Sequence, residues 1–125
     1  MHPVLRKSAA SWLAVVLVLG TSSVQAHHGW SDYDADRQLT LPGRVDASSY
    51  ENPHATIVLT SGGRQYDVVL APVSRMEARG ASRASVAVGR EVTVVGYPSR
   101  SHANEVRAER ITVVDGTDTR TVELR

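Results

Sequence analysis

The stretch "PVSRMEARG", residues 72–80, interrupts a strand-like sequence with a helical pattern. Pro72 stands where the first turn of a helix tolerates proline, and Gly80 stands where a helix would end. Val73 and Met76 are three residues apart, so both can face one core. The segment predicts one short helix between two groups of strands, and this order of elements favours one plan among the small β folds.

Three strand-like segments precede the helix. In the first, the predicted inner face consists of every second residue: Leu39, Leu41, Gly43, Val45 and Ala47. Pro42 falls on the other face, where it favours an edge position or a bend, and the glycine beside it would ease strong curvature. The turn-rich "SSYENPHA" then leads to the β-branched run "ATIVLT", and "SGGR" predicts a hairpin turn into "QYDVVLA".

Strands are predicted again after the helix. In "SVAVGREVTVVGY", residues 85–97, Val86 and Val88 are expected to lie on a strand that ends at a turn. A polar loop, "PSRSHANE", precedes the strand "VRAERITVV", whose apolar phase slips between Ala108 and Ile111, as a β-bulge requires. "DGTD" then turns into a last short strand, "RTVEL".

This order predicts an all-β fold. We expect a small OB-fold-like antiparallel barrel of five to six strands with one short helix between strands 3 and 4. The pattern alone leaves another small barrel or a sandwich open.

The first 26 residues have the pattern of a secretory signal peptide. A basic start precedes the short apolar core "SWLAVVLVLG" and a small-x-small ending at Ala26. The apolar run has about half of the ~20 residues that a membrane-spanning helix needs. We therefore expect cleavage before His27, no membrane anchor afterwards, and a periplasmic or secreted protein. The chain divides into a signal peptide at 1–26, an N-terminal arm at 27–38 and an OB-like barrel domain at 39–125.

Composition excludes several function classes. The 125 residues include 14 Lys+Arg, 13 Asp+Glu and no cysteine. Cleavage removes the two basic residues of the signal peptide, Arg6 and Lys7. The cleaved chain then keeps 12 basic and 13 acidic residues, a net charge of −1. This balance gives no electrostatic reason to expect nucleic acid as a partner. The missing cysteine excludes thiolate zinc and copper sites. No catalytic motif is present, so we predict a binding module and no enzyme.

Four stretches carry a resemblance to one family: "AHHGWSDYDADRQLTLPGRV", "ENPHATIVL", "VGREVTVVGYPSR" and "ERITVVDG". They are similar to an uncharacterised family of small exported bacterial proteins. Members begin Ala-His-His after the signal peptide and carry a central Asn-Pro-His and a late Val-Thr-Val-x-Gly-Tyr. The resemblance covers essentially the whole mature chain; it implies export and an OB-like β-barrel and does not imply any particular activity. The tryptophan that commonly follows Asn-Pro-His is absent after His54.

A histidine at a free N-terminus has metal chemistry that an internal histidine lacks. After cleavage, the α-amino nitrogen and ring Nδ1 of His27 can close a chelate ring, and a distant imidazole can supply a third nitrogen. Such a nitrogen set suits Cu(II), which also binds most tightly among the divalent ions; Zn(II) and Ni(II) remain open. The candidates for the third nitrogen are His28, His54 and His102. His54 is favoured because Pro53 fixes the turn before it.

Supporting contacts for this site would come from nearby oxygen and amide groups. The candidates are Asp32, Tyr33, Asp34 and Asn52. In the alternative without a metal, the paired histidines form a solvent-exposed N-terminus, and the ring of His54 hydrogen-bonds a neighbouring carbonyl group. Trp30 is expected to be an anchor that pins the arm to the barrel. The alternative function is a metal-free module whose barrel face or arm docks a periplasmic protein or a glycan.

Overall fold

A computed structural model of the protein describes residues 29–125, which form a closed β-barrel with one added strand. The strands are β1 (Leu39–Ser49), β2 (Thr56–Ser61), β3 (Arg64–Val69), β4 (Glu91–Pro98), β5 (Glu105–Asp115) and β6 (Asp118–Glu123). One α-helix, α1 (Val73–Ala78), and two 3-10 turns, Trp30–Asp32 and Ala84–Val86, complete this range. None of its helices is long and apolar enough to cross a membrane. The predicted signal peptide lies outside the described residues, as do His27 and His28.

The strand order closes the barrel. Neighbouring strands pair in the order β3-β2-β1-β4-β5-β6, and β3 also pairs with β5 in parallel. The closed ring is therefore β1-β2-β3-β5-β4, while β6 pairs with the second half of β5. A five-strand ring with a helix between β3 and β4 is the plan of an OB fold, so the predicted fold class is confirmed.

The barrel interior is filled by apolar side chains that alternate along the strands. On β2, Ile57 and Leu59 are buried, while the residues between them are partly exposed. Burial of each such side chain stabilises the fold by about 1.5–3 kcal/mol. The helix α1 adds a fully buried Met76, and Val73 packs against the same core. The three-residue spacing in the helical segment had predicted this shared face.

The first strand bends where it passes between its two neighbours. Its register with β2 shifts between Val45 and Ala47, so Ala47 points outward and is exposed. The prediction that Ala47 belongs to the inner face was therefore wrong, because a bulge reverses the alternation. At Gly43 a Cβ atom would lie 2.1 Å from the carbonyl oxygen of Thr60. Only glycine allows the two strands to come this close.

The strand predicted at Val86 and Val88 is also wrong. Residues Ala84–Val86 form a 3-10 turn, and Val88 is 64% exposed. The backbone N–H and the hydroxyl of Ser85 both bond to Ser82, at 3.2 Å and 2.7 Å. This local side-chain bonding competes with strand pairing, and two alternating valines are too few to overcome it.

The predicted irregularity in β5 is confirmed. Val95 pairs with Arg110 and Gly96 pairs with Ala108, which leaves Glu109 as the extra residue of a bulge. The two backbones lie close together beside this bulge, since a Cβ atom at Gly96 would be 2.2 Å from the carbonyl oxygen of Arg107.

Candidate functional site

The described part of the N-terminal arm is hydrogen-bonded to the end of β4. Tyr33 forms an isolated β-bridge with Ser99. The N–H of Asp34 donates to the carbonyl oxygen of Pro98 at 2.9 Å. These contacts hold the short turn that begins at Trp30 against the outside of the barrel.

Trp30 packs against two arginines and two tyrosines. We call this group the arm-docking cluster: Trp30, Tyr33, Tyr97, Arg107 and Arg125. The guanidinium carbons of Arg107 and Arg125 lie 4.5 Å and 4.7 Å from the centroid of the Trp30 ring. Tyr97 meets that ring edge-on at 6.2 Å. Each cation–π contact contributes about 0.5–2 kcal/mol. The prediction that Trp30 anchors the arm to the barrel is therefore confirmed.

A short hydrogen bond ties the cluster to β5. The hydroxyl of Tyr33 donates to Oε1 of Glu105 at 2.6 Å, and the tyrosine is only 2% exposed. Burial, this hydrogen bond and the carboxylate charge raise the pKa of Tyr33 above its ordinary value of 10.0. Burial also lowers the pKa of Arg107, as do the nearby guanidiniums of Arg75 and Arg125. The cluster therefore holds its polar groups in a partly dehydrated setting.

We expect the protein to lose stability in alkali, and we expect Tyr33→Phe to make this loss smaller. The pKa of Tyr33 is higher in the folded state than in the unfolded state. Its contribution to the free energy of unfolding is therefore complete below the unfolded pKa of about 10, and it is lost as the pH rises through the folded-state pKa. The wild type should therefore lose stability above that pH more steeply than the variant. At neutral pH the lost hydrogen bond should cost about 1.5–3 kcal/mol.

Urea unfolding at neutral and alkaline pH measures both effects. Tyr66→Phe is the matched control, since the Tyr66 hydroxyl makes no hydrogen bond within residues 29–125. Equal alkaline slopes for wild type and Tyr33→Phe would contradict the assignment.

Two rows of side chains cross the outer face of β1, β2, β3 and β5. Strand pairing aligns the first row as Ser49, Thr56, Val69 and Arg107. It aligns the second row as Ala47, Val58, Asp67 and Glu105. A groove of about 460 Å³ lies over them, within the roughly 300–1,000 Å³ that is usual for ligand sites. We call it the outer groove; its lining residues on the outer face include Ala47, Thr56, Val58, Asp67, Val69 and Glu105.

His54 lies two residues before Thr56, the first residue of β2 and a member of this face. His54 is half-buried in the connection between β1 and β2. Ala55 points into the core, so alternation puts His54 on the outer side with Thr56, in the row next to the one that contains Arg107. His102, by contrast, is exposed in the loop between β4 and β5, as expected for a loop histidine.

The predicted supporting residues are engaged in local structure. Tyr33 bonds Glu105, as described above. The carboxylate of Asp34 accepts the N–H of Asp36 at 3.1 Å, and the backbone carbonyl of Asp32 accepts an N–H from the β4–β5 loop. The amide oxygen of Asn52 accepts the N–H of the first residue of α1 at 3.4 Å.

The described residues include only one of the three predicted metal ligands. His54 is described, whereas His27 and His28 lie outside the described residues. Within residues 29–125, no group of three or more histidine, aspartate or glutamate side chains is arranged to hold a metal ion. The predicted set therefore stays a prediction.

Sequence analysis missed the charged partners of the arm. In "VRAERITVV", Arg107 and Glu109 alternate with the buried Val106 and Ala108. This alternation indicates a charged outer strand face and could have identified Arg107. Its contact with Trp30 could not be found in this way, because the two residues belong to distant segments.

The closed ring, the helix between β3 and β4 and the docked arm define a small OB-type barrel protein. The chain belongs to the family of unknown function DUF6152, whose model matches residues 14–107. The match includes the arm and ends at Arg107, the last residue of β5 that pairs with β3. It therefore spans β1 to β4, α1 and the first three residues of β5, while the rest of β5 and all of β6 follow it. No curated protein matches the chain.

Proposed function

We propose that this protein is a small exported binding module that holds Cu(II) or another divalent ion. Cleavage after Ala26 frees His27, whose α-amino group and ring Nδ1 chelate the ion. His54 supplies the third nitrogen, and His28 is a further candidate ligand. The observation that supports this proposal is the docking of the arm on β5, which only β3 separates from the strand that follows His54.

The reach of the arm is sufficient. Trp30 is fixed over Arg107 on β5, and His27 precedes it by three positions. Three extended residues span about 10 Å. His54 leads into β2, which is separated from β5 by β3 alone, and it lies two residues along the strand from the row of Arg107. Two strand spacings and this offset give about 12 Å. The arm and the two histidine side chains together can therefore cover this distance without a change in the barrel.

Copper titration of the exported protein tests the proposal. Intact mass first establishes that the chain begins at His27, and the EPR spectrum is then recorded during addition of Cu(II). We expect one ion per chain with couplings to several nitrogens. One extra alanine before His27 moves the α-amino group out of the chelate. The affinity should then fall by more than about 100-fold, because loss of a ligand exceeds the 10–100-fold cost of losing an outer contact.

Two histidine variants complete this test. His54→Ala should weaken copper binding, whereas His102→Ala removes an exposed loop histidine and should leave it unchanged. Affinity that neither the extra alanine nor His54→Ala alters would refute the proposal.

The second hypothesis is a metal-free interaction module that docks a periplasmic partner. The outer groove favours it, because a groove of about 460 Å³ on the outside of the barrel has the size of a ligand site. This hypothesis expects no effect of metal ions on thermal melting.

A further inference from the structure

We propose that the outer groove binds an extended peptide segment of a partner protein through a lysine or arginine side chain. This inference rests on the second function proposed above, the interaction module, and not on metal binding. Its basis is an apolar floor beside two carboxylates on one face of the barrel.

The floor of the groove is apolar where a solvent-facing strand surface is normally polar. The bulge in β1 turns Ala47 outward, beside its pairing partner Val58 on β2. Val69 lies on the same face of β3, and both valines are partly exposed. Three neighbouring strands thus present small apolar side chains, which can bury an apolar side chain of a peptide.

The wall of the groove is acidic. Asp67 and Glu105 are direct partners in the parallel pairing of β3 and β5, about 4.8 Å apart along the sheet. Neither carboxylate forms an ion pair with an arginine in the described part of the chain. Within residues 29–125, the carboxylate of Glu105 accepts a hydrogen bond from the Tyr33 hydroxyl alone. Like charges side by side are unfavourable, so a bound cationic side chain would relieve the repulsion and gain charge-assisted hydrogen bonds.

Other ligand classes fit the groove less well. Carboxylates repel the phosphates of nucleic acids. Sugar rings stack on aromatic faces, whereas no aromatic side chain lines the groove and two arginines already lie over the ring of Trp30. Because the barrel is closed at β3 and β5, the peptide lies across the strands and does not extend the sheet.

A pair of matched peptides tests the inference by NMR. Acetyl-Val-Lys-Val-amide and acetyl-Val-Gln-Val-amide are titrated into the labelled protein in the presence of a chelator, so that the result is independent of copper. We expect the amide signals of Val58, Asp67 and Val69 to shift. The lysine peptide should bind about tenfold more tightly than the glutamine peptide.

Charge variants locate the contact. Asp67→Asn and Glu105→Gln should each reduce the preference for lysine, and Glu105→Gln can still accept the Tyr33 hydroxyl. Asp118→Asn removes an exposed acid at the start of β6 and should keep the preference. The melting temperature of the free Asp67→Asn protein should stay equal or rise, because one of two like charges is gone.

Several results would overturn the inference. Equal affinity for both peptides, or no shift at the groove amides, would remove the role of the acidic wall. A lower melting temperature for Asp67→Asn would assign that carboxylate to the fold. Shifts of the same amides with maltotriose alone would identify a glycan site. Peptide binding by a protein that fails the copper test would leave the inference intact.

Discussion

Gly96→Ala will unfold the barrel or leave it less stable by at least about 3 kcal/mol. A Cβ atom at this position would lie 2.2 Å from the carbonyl oxygen of Arg107, 2.8 Å from its carbonyl carbon and 3.0 Å from Cα of Ala108. All three are backbone atoms of the paired strand, so they can move away only if the β4–β5 pairing breaks. Separation of β4 from β5 would also displace Arg107 from its contact with the ring of Trp30.

Urea unfolding followed by circular dichroism measures this effect. Gly29→Ala is the matched control, since Gly29 is exposed and has φ −66° and ψ 168°, which any residue adopts. The control should stay within about 0.5 kcal/mol of the wild type. A Gly96→Ala protein as stable as that control would show that β4 and β5 are not in close contact at the bulge.

Met76→Ala should destabilise the protein by about 2–5 kcal/mol. Met76 is the fully buried residue of α1, and its removal leaves a cavity that the paired strands cannot fill. Met76→Leu nearly conserves the volume and should cost less than about 1.5 kcal/mol. Both values come from urea midpoints at neutral pH. If Met76→Ala destabilised the protein less than Met76→Leu does, the side chain of Met76 would not be required to fill the core.

The fold could be predicted because its signals are local. The helical segment between two groups of alternating residues specified the position of α1, and the phase slip before Ile111 revealed the bulge in β5. The errors also have local causes. A bulge in β1 reversed the direction of Ala47, and serine hydrogen bonds replaced the strand expected at Val86.

The candidate site could be predicted only in part. Trp30 stood out as the one tryptophan of a polar arm, so its anchoring role followed from its chemistry. Its partners did not, because contacts such as Tyr33–Glu105 join residues 72 positions apart and no periodicity encodes them. The outer groove depends on the β1 bulge and on the pairing of β3 with β5, and both are properties of the assembled barrel.

The parallel pairing of β3 and β5 also sets an order of events during folding. The ring closes only when Val69 meets Arg107, although the hairpin of β2 and β3 can form as soon as it is synthesised. Contacts between distant segments carry a loop-closure cost and slow folding. We therefore expect the complete ring to form in milliseconds to seconds. Until Arg107 is available, β3 keeps an unpaired edge that can pair with other chains, so the time spent unclosed is when this protein is most exposed to aggregation.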